Sequence, residues 1–146
     1  MYPLEIAKVS AALGGARALG GEPNSIGELA DAIAHGLPRA VVPELAAQAA
    51  PDRGDLRRKV AALIVSPATY KRNRLLSPAA SERAERLARI TALAQQALGD
   101  ADEAREWLTT PRALLSYRTP IETAATDLGA RLVERILHNI EYSLPV

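Results

Sequence analysis

Ser66-Pro67, Ser77-Pro78 and Thr119-Pro120 each put a hydroxyl residue directly before a proline, just where apolar residues resume at helical spacing. A hydroxyl in that place accepts one of the N–H groups orphaned at a helix start. Proline beside it has no N–H to leave unpaired. Each pair therefore opens a helix and closes whatever precedes it. Ser25 with Glu28, and Thr119 with Glu122, add the reciprocal spacing of a capping box. Asp100 and Thr126 stand before further helical runs. No stretch alternates apolar and polar residues with period two, so the chain reads as all-α. Its apolar stock agrees: there is no Phe and one Trp, Trp107, so Ala, Leu, Ile and Val must make the core.

These signals divide the chain. Gly14-Gly15 and Gly20-Gly21 weigh against a helix, and residues 1–24 read as a flexible N-terminal arm. Helices follow over about 25–35 and 39–49. The next, about 53–63, is expected to be capped by Asp52 and to turn Leu56, Val60, Leu63 and Ile64 inward. After a short break Ser66-Pro67 opens a polar helix with Thr69, Lys71, Arg72, Asn73 and Arg74. Helix, tight turn and capped polar helix is the form of a helix-turn-helix, assigned to residues 25–76. Residues 77–146 form a second helical domain. In it Leu87, Ile90, Leu93, Ala94, Ala97 and Leu98 make one stripe, and Leu128, Leu132, Val133, Ile136, Leu137 and Ile140 another. Trp107 is expected in the core.

The net charge of +1 conceals a strong division. Residues 53–89 hold ten cations (Arg53, Arg57, Arg58, Lys59, Lys71, Arg72, Arg74, Arg83, Arg86, Arg89) against three acids, Asp55, Glu82 and Glu85. The flanks on either side are mildly acidic. A basic centre is the footprint of a polyanion partner, or of a solvated helical face. Ser66, Thr69, Lys71, Arg72, Asn73 and Arg74 are the residue types that contact phosphates and base edges, and are the candidate DNA-binding set. Arg83, Arg86 and Arg89 recur every three residues, as a basic strip that suits phosphate or solvent equally.

Other chemistries lack their residues. Without cysteine there is no disulfide, thiolate ligation or thiol catalysis. His138 and Glu141 share a helical face, but no third metal ligand accompanies them. Ser143 has no base or oxyanion signature near it. A non-enzymatic chain with no cofactor and no metal is expected. No apolar run approaches a membrane span and no signal pattern opens the chain, so a cytoplasmic protein without a membrane partner is expected.

A longer pattern runs from Ser77 to Tyr142. It comprises Leu87-Ala88-Arg89-Ile90 with Leu93-Ala94, then Ala104, Trp107-Leu108 and Pro111. Leu115, Arg118-Thr119-Pro120, Gly129, Val133, Leu137, Ile140 and Tyr142 complete it. In order and spacing it resembles the C-terminal domain of the Xre/MbcA/ParS-type antitoxins, and the helix-turn-helix sits where that family has its Xre-like DNA-binding part. The resemblance implies an antitoxin of a toxin–antitoxin pair. Its partner would be a RES-domain toxin that attacks NAD, neutralised by direct binding, with operator DNA of the shared operon as the second partner. A homodimer or a larger hetero-oligomer with toxin is implied. The toxin contacts carried over are Tyr142, Leu144, Pro145 and Val146 at the C-terminal end, with Tyr117 and Arg118 in the 111–120 loop. Two positions depart from the family pattern. Ile64 falls in the helix-turn-helix turn, where the family often has Gly, and Tyr117 stands where it tends to have Gly. A β-branched residue is strained in the left-handed region by about 1–2 kcal/mol, so the turn must be built differently. Charge and a helix-turn-helix also suit a stand-alone transcription regulator without a toxin, or a helical adaptor that no longer binds DNA.

Overall fold

A computed structural model describes residues 5–143. The order is α1 Ile6–Ala12, α2 Gly15–Leu19, α3 Ile26–His35, α4 Val41–Ala49, α5 Leu56–Ile64, α6 Pro67–Arg72, α7 Pro78–Leu98 and α8 Ala101–Leu108. A 3₁₀ turn at Ala113–Leu115 precedes α9 Pro120–Thr123 and α10 Asp127–Glu141. Among the described residues there is no strand, only two isolated bridges, Pro38 to Leu75 and Arg112 to Arg118.

The caps are where local chemistry places them. Ser25, Ser66, Ser77, Asp100, Thr119 and Thr126 each accept the backbone N–H three residues on. Thr119 and Glu122 complete their box, the Thr119 N–H donating to Glu122 Oε1 at 2.7 Å. Asp52 does not cap α5. The chain turns first through Gly54 at φ +62°, and α5 starts after Asp55, whose side chain makes no cap bond. Asp52 instead lies 3.8 Å from Arg57.

Residues 5–24 are not an arm. Val9, Ala12 and Leu13 are buried, with α1 packed on α7 and α4, and α2 on α1 and α4. The glycines that argued for flexibility make the turns: Gly14 and Gly15 have φ +101° and +71°, and Gly20 ends α2 at +78°. At Gly14 space is also short, since a Cβ there would lie 2.6 Å from that of Ala18. A glycine pair breaks a helix either by loosening the chain or by turning it sharply, and here it turns.

The axis of the fold is α7, against which α1, α3, α4, α5, α8, α9 and α10 all pack. One of its ridges is all alanine: Ala80, Ala84, Ala88 and Ala92 recur every fourth residue and are buried. Small side chains on that ridge let neighbouring helices approach closely, which is how a chain without Phe fills its interior. Leu87, Ile90 and Leu93 fill the spaces between, and buried residues from Val9 to Leu137 form one continuous core that crosses the expected division at 76/77. The stripe on α10 is narrower than expected. Leu128 is 77% exposed and Leu132 41%, while Val133, Ile136 and Leu137 face α7.

Candidate nucleic-acid interface and partner-facing loop

The turn between α5 and α6 contains no left-handed residue. Ile64 is the last residue of α5 and fully buried, and Val65 and Ser66 carry the chain across in extended conformation. The end of α5 is closed from outside: Arg83 donates through Nε and Nη2 to the Ile64 carbonyl at 3.0 and 2.9 Å. An extended two-residue link and an arginine cap thus do the work a left-handed glycine would do.

α6 buries no side chain. Of the six candidate contact residues, three shape the helix itself. Ser66 Oγ caps it and also donates to Thr69 Oγ1 at 2.9 Å, and Asn73 Nδ2 donates to the Thr69 carbonyl at 2.9 Å. Lys71, Arg72 and Arg74 are exposed and have no side-chain partner among the described residues.

That distinction runs through the whole basic segment. Arg53 pairs with Glu106 at 2.7 Å, and this hydrogen bond holds the Glu106 carboxyl below the usual carboxylate range. Arg57 donates to the Ala50 carbonyl, and Lys59 lies 3.6 Å from Asp55. The strip of three arginines points inward, neither solvated nor free for phosphate. Arg83 caps α5, Arg86 donates to the Ala125 carbonyl at 2.7 Å, and Arg89 pairs with Glu85 and Glu134 at 3.3 and 2.9 Å. Four of the ten cations remain without a partner among the described residues: Arg58, Lys71, Arg72 and Arg74. Three of them belong to α6 and its exit. Arg58, on the exposed face of α5, was not singled out by sequence.

Past α8 the chain makes a tight hairpin. Arg112 and Arg118 pair, the Arg112 N–H donating to the Arg118 carbonyl at 3.1 Å. The Arg118 N–H closes the turn on the Leu115 carbonyl at 3.1 Å. Ser116 and Tyr117 between them have φ +56° and +62°, the mirror-image turn that fits the twist of a hairpin and favours glycine. Leu115 anchors the loop in the core, while Leu114 is 64% and Tyr117 75% exposed. Arg118 Nε donates to the Leu115 carbonyl. Trp107 is only half-buried, contrary to expectation, and Arg112 lies 5.3 Å above its ring. Replacing Tyr117 by Gly relieves left-handed strain but enlarges unfolded-state entropy, for a net gain of about 0.5–1 kcal/mol. Urea denaturation of Tyr117→Gly checks this, and a loss of stability would mean the ring contributes packing.

Tyr142 follows α10 and is exposed, its ring 4.7 Å from that of His138. At 1.5 Å per residue, α10 carries it about 22 Å from α9, the helix into which the 112–118 hairpin runs. Leu144, Pro145 and Val146 lie outside the described residues. Glu141 accepts from Gln96 Nε2 at 2.9 Å. No helix among the described residues is long and apolar enough to cross a membrane.

Two family models match this chain in succession. The antitoxin Xre-like helix-turn-helix domain matches residues 28–89, and the antitoxin Xre/MbcA/ParS C-terminal toxin-binding domain matches residues 93–142. The two matches meet inside α7. A curated relative, Antitoxin Xre of Pseudomonas putida, is 36% identical over 70 residues, which are 48% of this chain and 44% of the relative. The match thus spans less than half the length of that protein.

Proposed function

We propose, from the two antitoxin domain models that match residues 28–89 and 93–142 in succession, that the chain neutralises a RES-domain, NAD-attacking toxin by direct binding and represses its own operon through α5 and α6. The observation that carries the DNA half is the division of the basic segment. Six of its ten cations are engaged with carbonyls or carboxylates, and of the four without a partner among the described residues three belong to α6 and its exit, with Arg58 on α5 the fourth. Lys71, Arg72 and Arg74 are the phosphate and base-edge contacts, with Ser66, Thr69 and Asn73 holding the helix that presents them. A six-residue helix reads too few base pairs alone, so the operator-binding species is a dimer, free or within a toxin complex.

The toxin half is occlusion. The 112–118 hairpin offers Tyr117 and Leu114 as exposed apolar anchors on a backbone fixed by its own hydrogen bonds, so little entropy is lost on docking. Arg118 lies beside them. Tyr142 with Leu144, Pro145 and Val146 closes the substrate entrance of the toxin. Residues 25–76 serve the first task and 77–146 the second, although both share one core.

Co-expression with a RES-domain toxin, whose gene is expected beside that of this chain, tests the proposal. The full chain is expected to restore growth and the cellular NAD pool, and a chain ending at residue 141 is expected to restore neither. Full neutralisation by the shortened chain would remove the blocking role of the tail. A full chain that binds upstream DNA but neither binds nor neutralises the toxin would instead be a stand-alone regulator.

A further inference from the structure

A short helix with no fully buried side chain needs more than the core to hold it. Tyr70 is the one α6 side chain packed, half-buried, against the core, and beside it lies a cavity of about 310 Å³ lined among others by Val65, Thr69, Leu75 and Ala80, so apolar packing supplies little of the hold. What does reach α6 is Arg39, from the loop between α3 and α4. Its Nη1 donates to the carbonyls of Tyr70 and Lys71, both at 3.2 Å, and its guanidinium lies 5.4 Å from the centre of the Tyr70 ring. These carbonyls belong to the last turn of α6, where acceptors are otherwise orphaned and the helix dipole favours a cation. The Arg39 backbone is itself fixed. Its N–H donates to the Arg74 carbonyl at 3.1 Å, and Leu76 donates to the Leu37 carbonyl at 2.8 Å, so residues 37–39 and 74–76 run paired beside the end of α6.

We infer that Arg39 is the positioning residue of the contact helix: it clasps the C-terminal turn of α6 through two carbonyls and one ring face and sets the orientation in which Lys71, Arg72 and Arg74 are presented. The guanidinium of Arg39 is half-buried and engaged by backbone carbonyls, so it aligns the helix without neutralising a phosphate. The clasp also explains how α6 is held with Tyr70 as its one side chain against the core. Its further anchor is one guanidinium nitrogen shared by two backbone carbonyls, which places no apolar demand on the helix. The consequence for affinity rests on the DNA reading above, whereas the clasp itself does not.

Two variants of the full chain, Arg39→Gln and Arg39→Lys, separate the possibilities. Neither carries a planar guanidinium that can lie over the Tyr70 ring while one of its nitrogens reaches both carbonyls. Both are expected to speed hydrogen exchange at the amides of Tyr70, Lys71 and Arg72 by about tenfold, leaving those of Val133 to Leu137 in α10 protected. Both are also expected to weaken binding to the upstream DNA by about tenfold with the salt dependence unchanged, because no phosphate contact is removed. Unchanged exchange over residues 70–72, or equal loss of protection in α10, would overturn the clasp. A lysine variant with restored affinity beside a glutamine variant with a reduced salt slope would also overturn it, because Arg39 would then be touching phosphate. If the unmodified chain does not bind the DNA while exchange still responds to both substitutions, the clasp stands and the DNA reading falls.

Discussion

Gly129→Ala is expected to lower stability by about 3–5 kcal/mol, a large effect for one added methyl group. Gly129 lies in the first turn of α10, and its backbone is helical, so the reason is space. A Cβ there would stand 1.8 Å from the Thr123 carbonyl oxygen, 2.8 Å from the Thr123 carbonyl carbon and 2.8 Å from Thr126 Oγ1. None of these is the free end of a flexible side chain. The Thr123 carbonyl is backbone at the end of α9, and Thr126 Oγ1 is the cap that accepts the Gly129 N–H at 3.0 Å. To admit one methyl group α10 must move away from α9, which disturbs Val133, Ile136 and Leu137 against α7 and the Arg86 bond to Ala125. Gly27→Ala is the control. That glycine is also in the first turn of a helix, and the nearest atom to an added Cβ is Ser25 Oγ at 3.7 Å. It should gain about 0.5–1 kcal/mol from reduced unfolded-state entropy. Urea denaturation of both variants decides. A Gly129→Ala loss no larger than about 1 kcal/mol would show that the corner yields as overpacked sites sometimes do.

The second large effect is on DNA. With Lys71, Arg72 and Arg74 all changed to Ala, operator affinity is expected to fall roughly a hundredfold near physiological salt, and the slope of log K against log salt to shrink by about 2.7. Stability should hold, because these side chains are exposed and have no partner among the described residues. Arg83→Ala is the counterpart. It removes two hydrogen bonds from the Ile64 carbonyl, so it should destabilise the chain and leave the salt slope as it was. Fluorescence anisotropy on the upstream DNA between about 50 and 200 mM salt, the range in which counterion release is steep, measures both. A triple variant that keeps the full slope would move the DNA surface away from α6. The next cation to examine would be Arg58.

What could be read in advance follows the range of each interaction. A cap works across three residues, so Ser25, Ser66, Ser77, Asp100, Thr119 and Thr126 announced their helices, and the all-α fold followed. Asp52 failed as a cap because Gly54 placed an unforeseen turn in front of α5. The Tyr117 position, where the resemblance led to an expectation of Gly, carried its own signal: the backbone there is left-handed. The glycine pairs near the N-terminus were ambiguous in kind. Nothing within the pairs distinguishes a flexible segment from a sharp turn, and only α7 and α4, far along the chain, resolve it.

Local sequence was enough for the helices that carry their own caps, for the polar helix after a tight turn and for the resemblance to the antitoxins. All of these depend on neighbours within a few residues or on a pattern along the chain. Only the tertiary structure decided which charges are available. Arg83 and Arg86 reach carbonyls 19 and 39 residues away, and Arg39 reaches 31 and 32 residues to the end of α6. A guanidinium has the same composition whether it meets water, phosphate or a carbonyl. Its partner is set by where the packing of α7 brings distant backbone, and so the basic centre divided into a structural part and the few cations left exposed.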